Sequence, residues 1–156
     1  MKNYAFRHLT GEGIDYTNPV FRDANGQSRI LAIWDQTIQG GSPPEGFLYG
    51  TEYTREDINR ALAAQDPYSV VPSRDEIGHG SAMAGVAAGS VLINGSAGSA
   101  YIGAAPNADI LVVKLKEAKQ YLRDFYLVPQ EAHAYQENDI MLAVKYADSF
   151  VELFRR

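Results

Sequence analysis

The hydrophobic pattern divides the chain into short apolar runs separated by turn-rich polar stretches. The first ten residues, MKNYAFRHLT, show no clear period. Gly11 to Gly26 is then punctuated by Gly11, Gly13, Asn18-Pro19 and Asn25-Gly26, which reads as a series of turns. Arg29 to Trp34 (RILAIW) has strand length and ends at Asp35. The glycines and prolines of Gly40 to Gly50 predict a loop. Thr54 is a candidate N-cap, followed by Glu56 and Asp57 where the helix dipole favours acids. Ile58 and Leu62 share a face of that helix, and Asp66-Pro67 stops it.

Pro72 to Gly78 is polar and turn-like, and the small residues from His79 to Gly89 predict a second helix. Asn94 to Gly103 reads as a Gly/Ser/Ala loop. Ile110 to Leu115 (ILVVKL) is the strongest strand, apolar enough to be covered on both faces. Residues 117–137 carry charges, three tyrosines (121, 126 and 135) and Pro129, and read as an insertion; the tyrosines fit a binding face, or more commonly partly buried packing. A last helix begins near Asn138, where Ile140, Val144, Ala147, Val151 and Phe154 mark one helical face. Strands alternating with helices predict an α/β fold with a parallel sheet and helices packed on it.

Composition narrows the function classes. With 156 residues the chain fits one domain, and 46% hydrophobic with 21% charged residues is ordinary for a globular protein. A formal net charge of −5 offers no basic surface for nucleic acid or anionic lipid. No apolar run reaches the ~18 residues of a membrane span, and the N-terminus has no apolar signal-peptide core. The absence of cysteine removes disulfides, thiolate metal sites and cysteine nucleophiles together.

The candidate chemistry lies in Asp75-Glu76-Ile77-Gly78-His79-Gly80-Ser81-Ala82-Met83-Ala84-Gly85. His79 stands between two glycines at the start of a helix. There the dipole works against a second proton on the ring, which suits a group that must accept one. The flanking glycines let backbone or substrate come close, and the following small residues let the helix pack tightly on a sheet. A small-residue core helix that merely begins with a histidine fits the same spacing.

These residues also carry a resemblance. Gly78-His79-Gly80-Ser81 through Ala84-Gly85 resembles the histidine motif of the subtilisin-like serine proteases, H-G-T-x-V-A-G. Gly103-Ala104-Ala105-Pro106-Asn107-Ala108-Asp109 with the strand after it is similar to the family's G-V-A-P-x-A-x-L stretch. Gly13-Ile14-Asp15-Tyr16-Thr17-Asn18-Pro19 resembles the end of its D-[ST]-G-I-D-x-x-H-P aspartate motif. Ile33-Trp34-Asp35-Gln36-Thr37, Tyr49 to Thr54 and the insertion around Tyr121 to Pro129 look like the clostridial Csp branch, associated with spore germination. The resemblance implies a partial three-layer α/β/α subtilisin-like fold over residues 1–156, as the N-terminal portion of a longer catalytic domain, with 117–137 as a branch insertion. It implies peptide-bond hydrolysis by an Asp-His-Ser triad with His79 as general base, a peptide or protein substrate, no cofactor and no metal. Cytoplasm or spore fits as its compartment.

Two departures stand out. The alignment puts Gly11 where the family's triad aspartate belongs, and Asp15 matches the motif's second aspartate; the apolar strand that precedes this motif in the family is missing, replaced by Tyr4 to Thr10. Asp35 ends an apolar strand as catalytic carboxylates often do, but its family position argues against that role. No serine lies in a G-T-S-x-A-x-P context: Ser81 takes the place of the motif's threonine, and Ser96 and Ser99 fall in the predicted loop. Without nucleophile and oxyanion asparagine the chain is expected to be inactive alone, as a truncated product or as one piece needing a complementing chain. A non-catalytic module of the same fold is the alternative. Zinc at Asp75, Glu76 and His79 lacks a H-E-x-x-H pattern, and a nucleotide-binding domain lacks a phosphate loop.

Overall fold

In the computed structural model, which describes residues 6–90 and 102–155, a four-stranded sheet organises the chain. Its strands are β1 (Phe6–Gly11), β2 (Ile30–Asp35), β3 (Thr51–Thr54) and β4 (Asp109–Lys114), in spatial order β1-β4-β2-β3. β4 runs parallel to both neighbours, with Val112 opposite Leu9 on one side and Ile33 on the other. β3 is antiparallel to β2, pairing Glu52 with Trp34. The helices are α1 (Arg55–Leu62), α2 (His79–Ala88), α3 (Gln120–Phe125) and α4 (Glu137–Arg155).

Strand side chains alternate between faces, so β4 feeds two cores. Ile110 and Val112 join Ile14, Phe21, Ile58, Ala61, Ala84 and Ala88 beneath α1 and α2. Leu111 and Val113 join Trp34, Ala143, Tyr146 and Ala147 beneath α4. The result is a three-layer α/β/α arrangement, as expected, with one antiparallel strand at the edge of an otherwise parallel sheet. Trp34 is fully buried between Phe47, Tyr49 and Tyr146, with ring centroids 4.7, 5.6 and 5.3 Å away. α1 begins with a capping box, in which Thr54 and Asp57 exchange side-chain and backbone hydrogen bonds.

Three expectations need correction. The strand judged missing before Gly11 is present as β1, because pairing along the whole length of β4 replaces the apolar run that a buried strand needs. In α4 the buried stripe runs through Asp139, Ala143, Tyr146 and Ala147, while Ile140 and Val144 are 41% and 49% exposed. The helix is rotated by the demand to seat Tyr146 on Trp34 and to bury Asp139, whose carboxylate accepts from Tyr49 Oη at 2.6 Å and from Lys116 Nζ. Finally, Tyr121 and Tyr126 are exposed, at the surface of the 117–137 segment. That segment is held from within by buried Arg123, which bonds Glu117 and the carbonyls of Pro129, Gln130 and Ala132. Most of the Asn94 to Gly103 loop, with Ser96 and Ser99, lies outside the described residues.

Candidate active site

The parallel strands bring Gly11, Asp35 and Lys114 to the C-terminal edge of the sheet, the end where open α/β sheets hold their ligands. The chain leaves β1 at Gly11 and turns sharply. Gly13 takes φ +113°, and a Cβ there would stand 2.7 Å from the carbonyl oxygen of Arg74. The first turn of α2 lies directly on this corner. A Cβ on Gly80 would collide with the carbonyl oxygen of Gly13, so the two glycines of separate segments allow one contact. This close approach seats His79, the first residue of α2, beside the end of β1.

The start of α2 is fixed by an acid outside the helix. Gly78, in the left-handed region at φ 85°, supplies no side chain to cap. The Asp75 carboxylate accepts instead from the Gly78 N–H at 2.8 Å, the Ser81 N–H at 2.7 Å and the Ser81 hydroxyl at 2.6 Å. Burial works to raise the Asp75 pKa, but the bonds from Ser81, Gly78 and Ile77 outweigh it and hold it below the usual range. Ser81 Oγ in turn accepts from the Asp15 N–H at 2.7 Å, tying the aspartate-motif segment to the histidine helix. Both side chains are thus engaged, Asp75 in capping α2 and Ser81 in bridging the two segments. At its far end α2 is clasped by buried Arg29, which donates to the carbonyls of Ala88, Val20 and Ala108.

His79 is open to solvent, with 68% of its side chain exposed. It borders a cavity of about 240 Å³ lined by the Gly11–Gly13 corner, by His79, Gly80 and Met83 of α2, and by Tyr135. Its Nδ1 lies 3.5 Å from Glu12 Oε2, ion-pair distance but longer than a good hydrogen bond. Glu12 Oε2 is itself buried and accepts no hydrogen bond among the described residues. Tyr135 completes the cavity; burial first, then the charges of Glu12 and Glu117, pushes its pKa up to about 12. It therefore keeps its proton as a donor across the physiological range.

The other sequence candidates are placed elsewhere. Asp35 is fully buried, and its oxygens accept from Thr37 N at 2.8 Å, Thr37 Oγ1 at 2.5 Å and Ser73 Oγ at 2.6 Å. Asp15 accepts from Thr17 and Tyr68. His133 pairs with Glu117 at 2.6 Å in the 117–137 segment. Glu12 and the capping role of Asp75 went unread in the sequence, whereas Tyr135, half-buried, lines the cavity as one of the tyrosines weighed for a binding face. Signals existed for the first two: an acid beside an empty aspartate position, and an acid three residues before a helix-starting glycine.

No protein-family profile and no curated protein matches the sequence. Among solved structures the chain is similar to the Clostridium perfringens CspB protease. That match has a TM-score of 0.73 and 27% identity over 97% of this chain. It covers 26% of the CspB chain, so this chain spans about a quarter of that protein's length. The α/β/α fold is thus a partial subtilisin-like one, as the motifs implied.

Proposed function

We propose that this chain is the histidine-bearing part of a subtilisin-like serine endopeptidase of the Csp type. His79 acts as general base toward a serine that these 156 residues do not place in the family's motif. The observation that carries the reading is the placement of His79: first residue of α2, exposed, on a cavity at the C-terminal end of β1, in a fold similar to the CspB protease. A histidine serving only to start a core helix has no need of that cavity, nor of two glycines cleared for its approach.

Further support comes from α2 itself. Apart from its histidine and Ser81 it is apolar all round, a pattern of helices covered on every side. Here Ala84 and Ala88 are buried while Met83 and Val86 are 52% and 72% exposed. Among the described residues β1 pairs on one side only. Serine-bearing polypeptide that completes the sheet beyond β1 and covers Met83 and Val86 accounts for both, and the substrate is then a protein, a germination zymogen on the Csp reading.

The experiment is reconstitution. The chain alone should leave a fluorophosphonate probe unreacted, and stoichiometric labelling would contradict the missing nucleophile. Co-expressed with the CspB polypeptide lacking its matching quarter, it should support labelling of the CspB serine, and His79→Ala should abolish that. Absence of labelling from a stable co-purified complex favours the second reading, a non-catalytic binding module. The feature on the side of that reading is Gly11, which leaves the end of β1 without a carboxylate.

A further inference from the structure

The departure at Gly11 has a structural counterpart one residue along. A base of this kind needs an acceptor on Nδ1 that fixes the tautomer and leaves Nε2 to take the proton. Gly11 cannot supply it. The space beside it is empty, since a Cβ on Gly11 would meet no atom within 4 Å. The side chain that does approach Nδ1 belongs to Glu12, one position later and one methylene longer than an aspartate.

We infer that Glu12 is the positioning residue for His79, its carboxylate taking the Nδ1 hydrogen in place of an aspartate at position 11. The inference rests on the protease reading of His79. Three observations distinguish this pair from an incidental surface contact. The Glu12 oxygen facing Nδ1 is buried and unpaired, whereas a surface carboxylate satisfies itself with water. No described group bonds Nε2, which leaves that nitrogen for the cavity. The remaining ionisable neighbours are already engaged or point elsewhere. Asp75 caps α2, Lys114 donates to the Arg74 carbonyl, Arg74 stacks on Tyr68, and Glu76 lies exposed in the turn before Gly78. Tyr135 holds its proton. At 3.5 Å the pair is within ion-pair reach, and catalytic hydrogen bonds of this kind shorten when substrate closes a site.

The test reads the tautomer and needs no serine. In histidine-15N protein at a pH of about 8.5, where ordinary imidazoles are neutral, magic-angle-spinning spectra of sedimented protein resolve Nδ1–H from Nε2–H rings. The method tolerates self-association, and His79→Gln identifies the signal by difference. The wild-type ring should be mainly Nδ1–H. Glu12→Gln should move the ratio toward Nε2–H by roughly threefold to tenfold, the size open to a charge-assisted bond beside solvent. Gly11→Asp combined with Glu12→Gln should restore the Nδ1–H form. A wild-type ring in the Nε2–H form overturns the inference without any variant, and so does a ratio unmoved by Glu12→Gln in protein of unchanged circular dichroism. Failed reconstitution with the expected tautomers would sink the protease reading alone; successful reconstitution with an unmoved tautomer would sink the role of Glu12 alone.

Discussion

Any side chain on Gly80 would run into the carbonyl oxygen of Gly13, so helix α2 and the corner after β1 are in contact through backbone alone. The position of His79 depends on that contact. Gly80→Ala should therefore destabilise the chain by about 1–3 kcal/mol, the usual cost of forcing atoms into a closed gap. Gly85, in the same helix, has open space where its Cβ would be. Gly85→Ala should stabilise by about 0.5–1 kcal/mol through helix propensity. Urea unfolding of the two variants checks the contrast, and equal effects would remove the close-approach account.

Acid should loosen the start of α2. The Asp75 carboxylate is held below its ordinary range, so its contribution is complete above the pKa of an unfolded aspartate, about 3.9, and fades as pH falls through the lower native value. Asp75→Asn should cost about 1 kcal/mol near neutrality, because the amide loses the charge and one of the two acceptor oxygens. Its stability should converge on that of the wild type as pH falls below the lowered native pKa. Denaturant midpoints measured from about pH 2 to about pH 7 check the convergence.

Ser73→Ala tests the structural assignment of Asp35. It leaves a buried carboxylate oxygen without its 2.6 Å donor, which should cost about 1–3 kcal/mol. The tautomer of His79 should not change. A change there would return Asp35 to the list of groups that act on the imidazole.

Exposed apolar surface on α2 should drive association of the isolated chain. Val86→Lys places a charge where the side chain is 72% exposed, so stability should hold within about 0.5 kcal/mol. Sedimentation velocity should show less self-association than the wild type. If Val86→Lys associates as strongly, the open edge of β1 becomes the responsible surface.

The sequence was most readable where one physical demand dominated. β4 is covered on both faces, so an unbroken apolar run marked it; α1 has its cap and its acids in order, though it ends at Leu62, and Asp66-Pro67 opens the next turn. The small residues of α2 predicted the close packing that Gly80 makes. β1 was unreadable because its partner defines it: an edge strand beside β4 needs backbone pairing, not a run of Val and Ile. β3 has four residues, too few for a period. The face of α4 was misjudged because periodicity counts apolar residues, whereas the packing selected Tyr146 for its ring and Asp139 for its partners. At the site, His79 and the vacancy at Gly11 were legible from the motif. Glu12 was not, since only the turn after β1 brings its carboxylate to the imidazole.

The buried indole of Trp34 gives the molecule an internal gauge. It is the chain's sole tryptophan, and its neighbours belong to the α4 side of the sheet, away from α2. Its fluorescence therefore reports release of that layer, while far-ultraviolet dichroism averages over all helices. Were the two signals to separate on heating, the histidine-bearing layer and the α4 layer would be distinct cooperative units, and a completing polypeptide would have a half-formed scaffold on which to assemble.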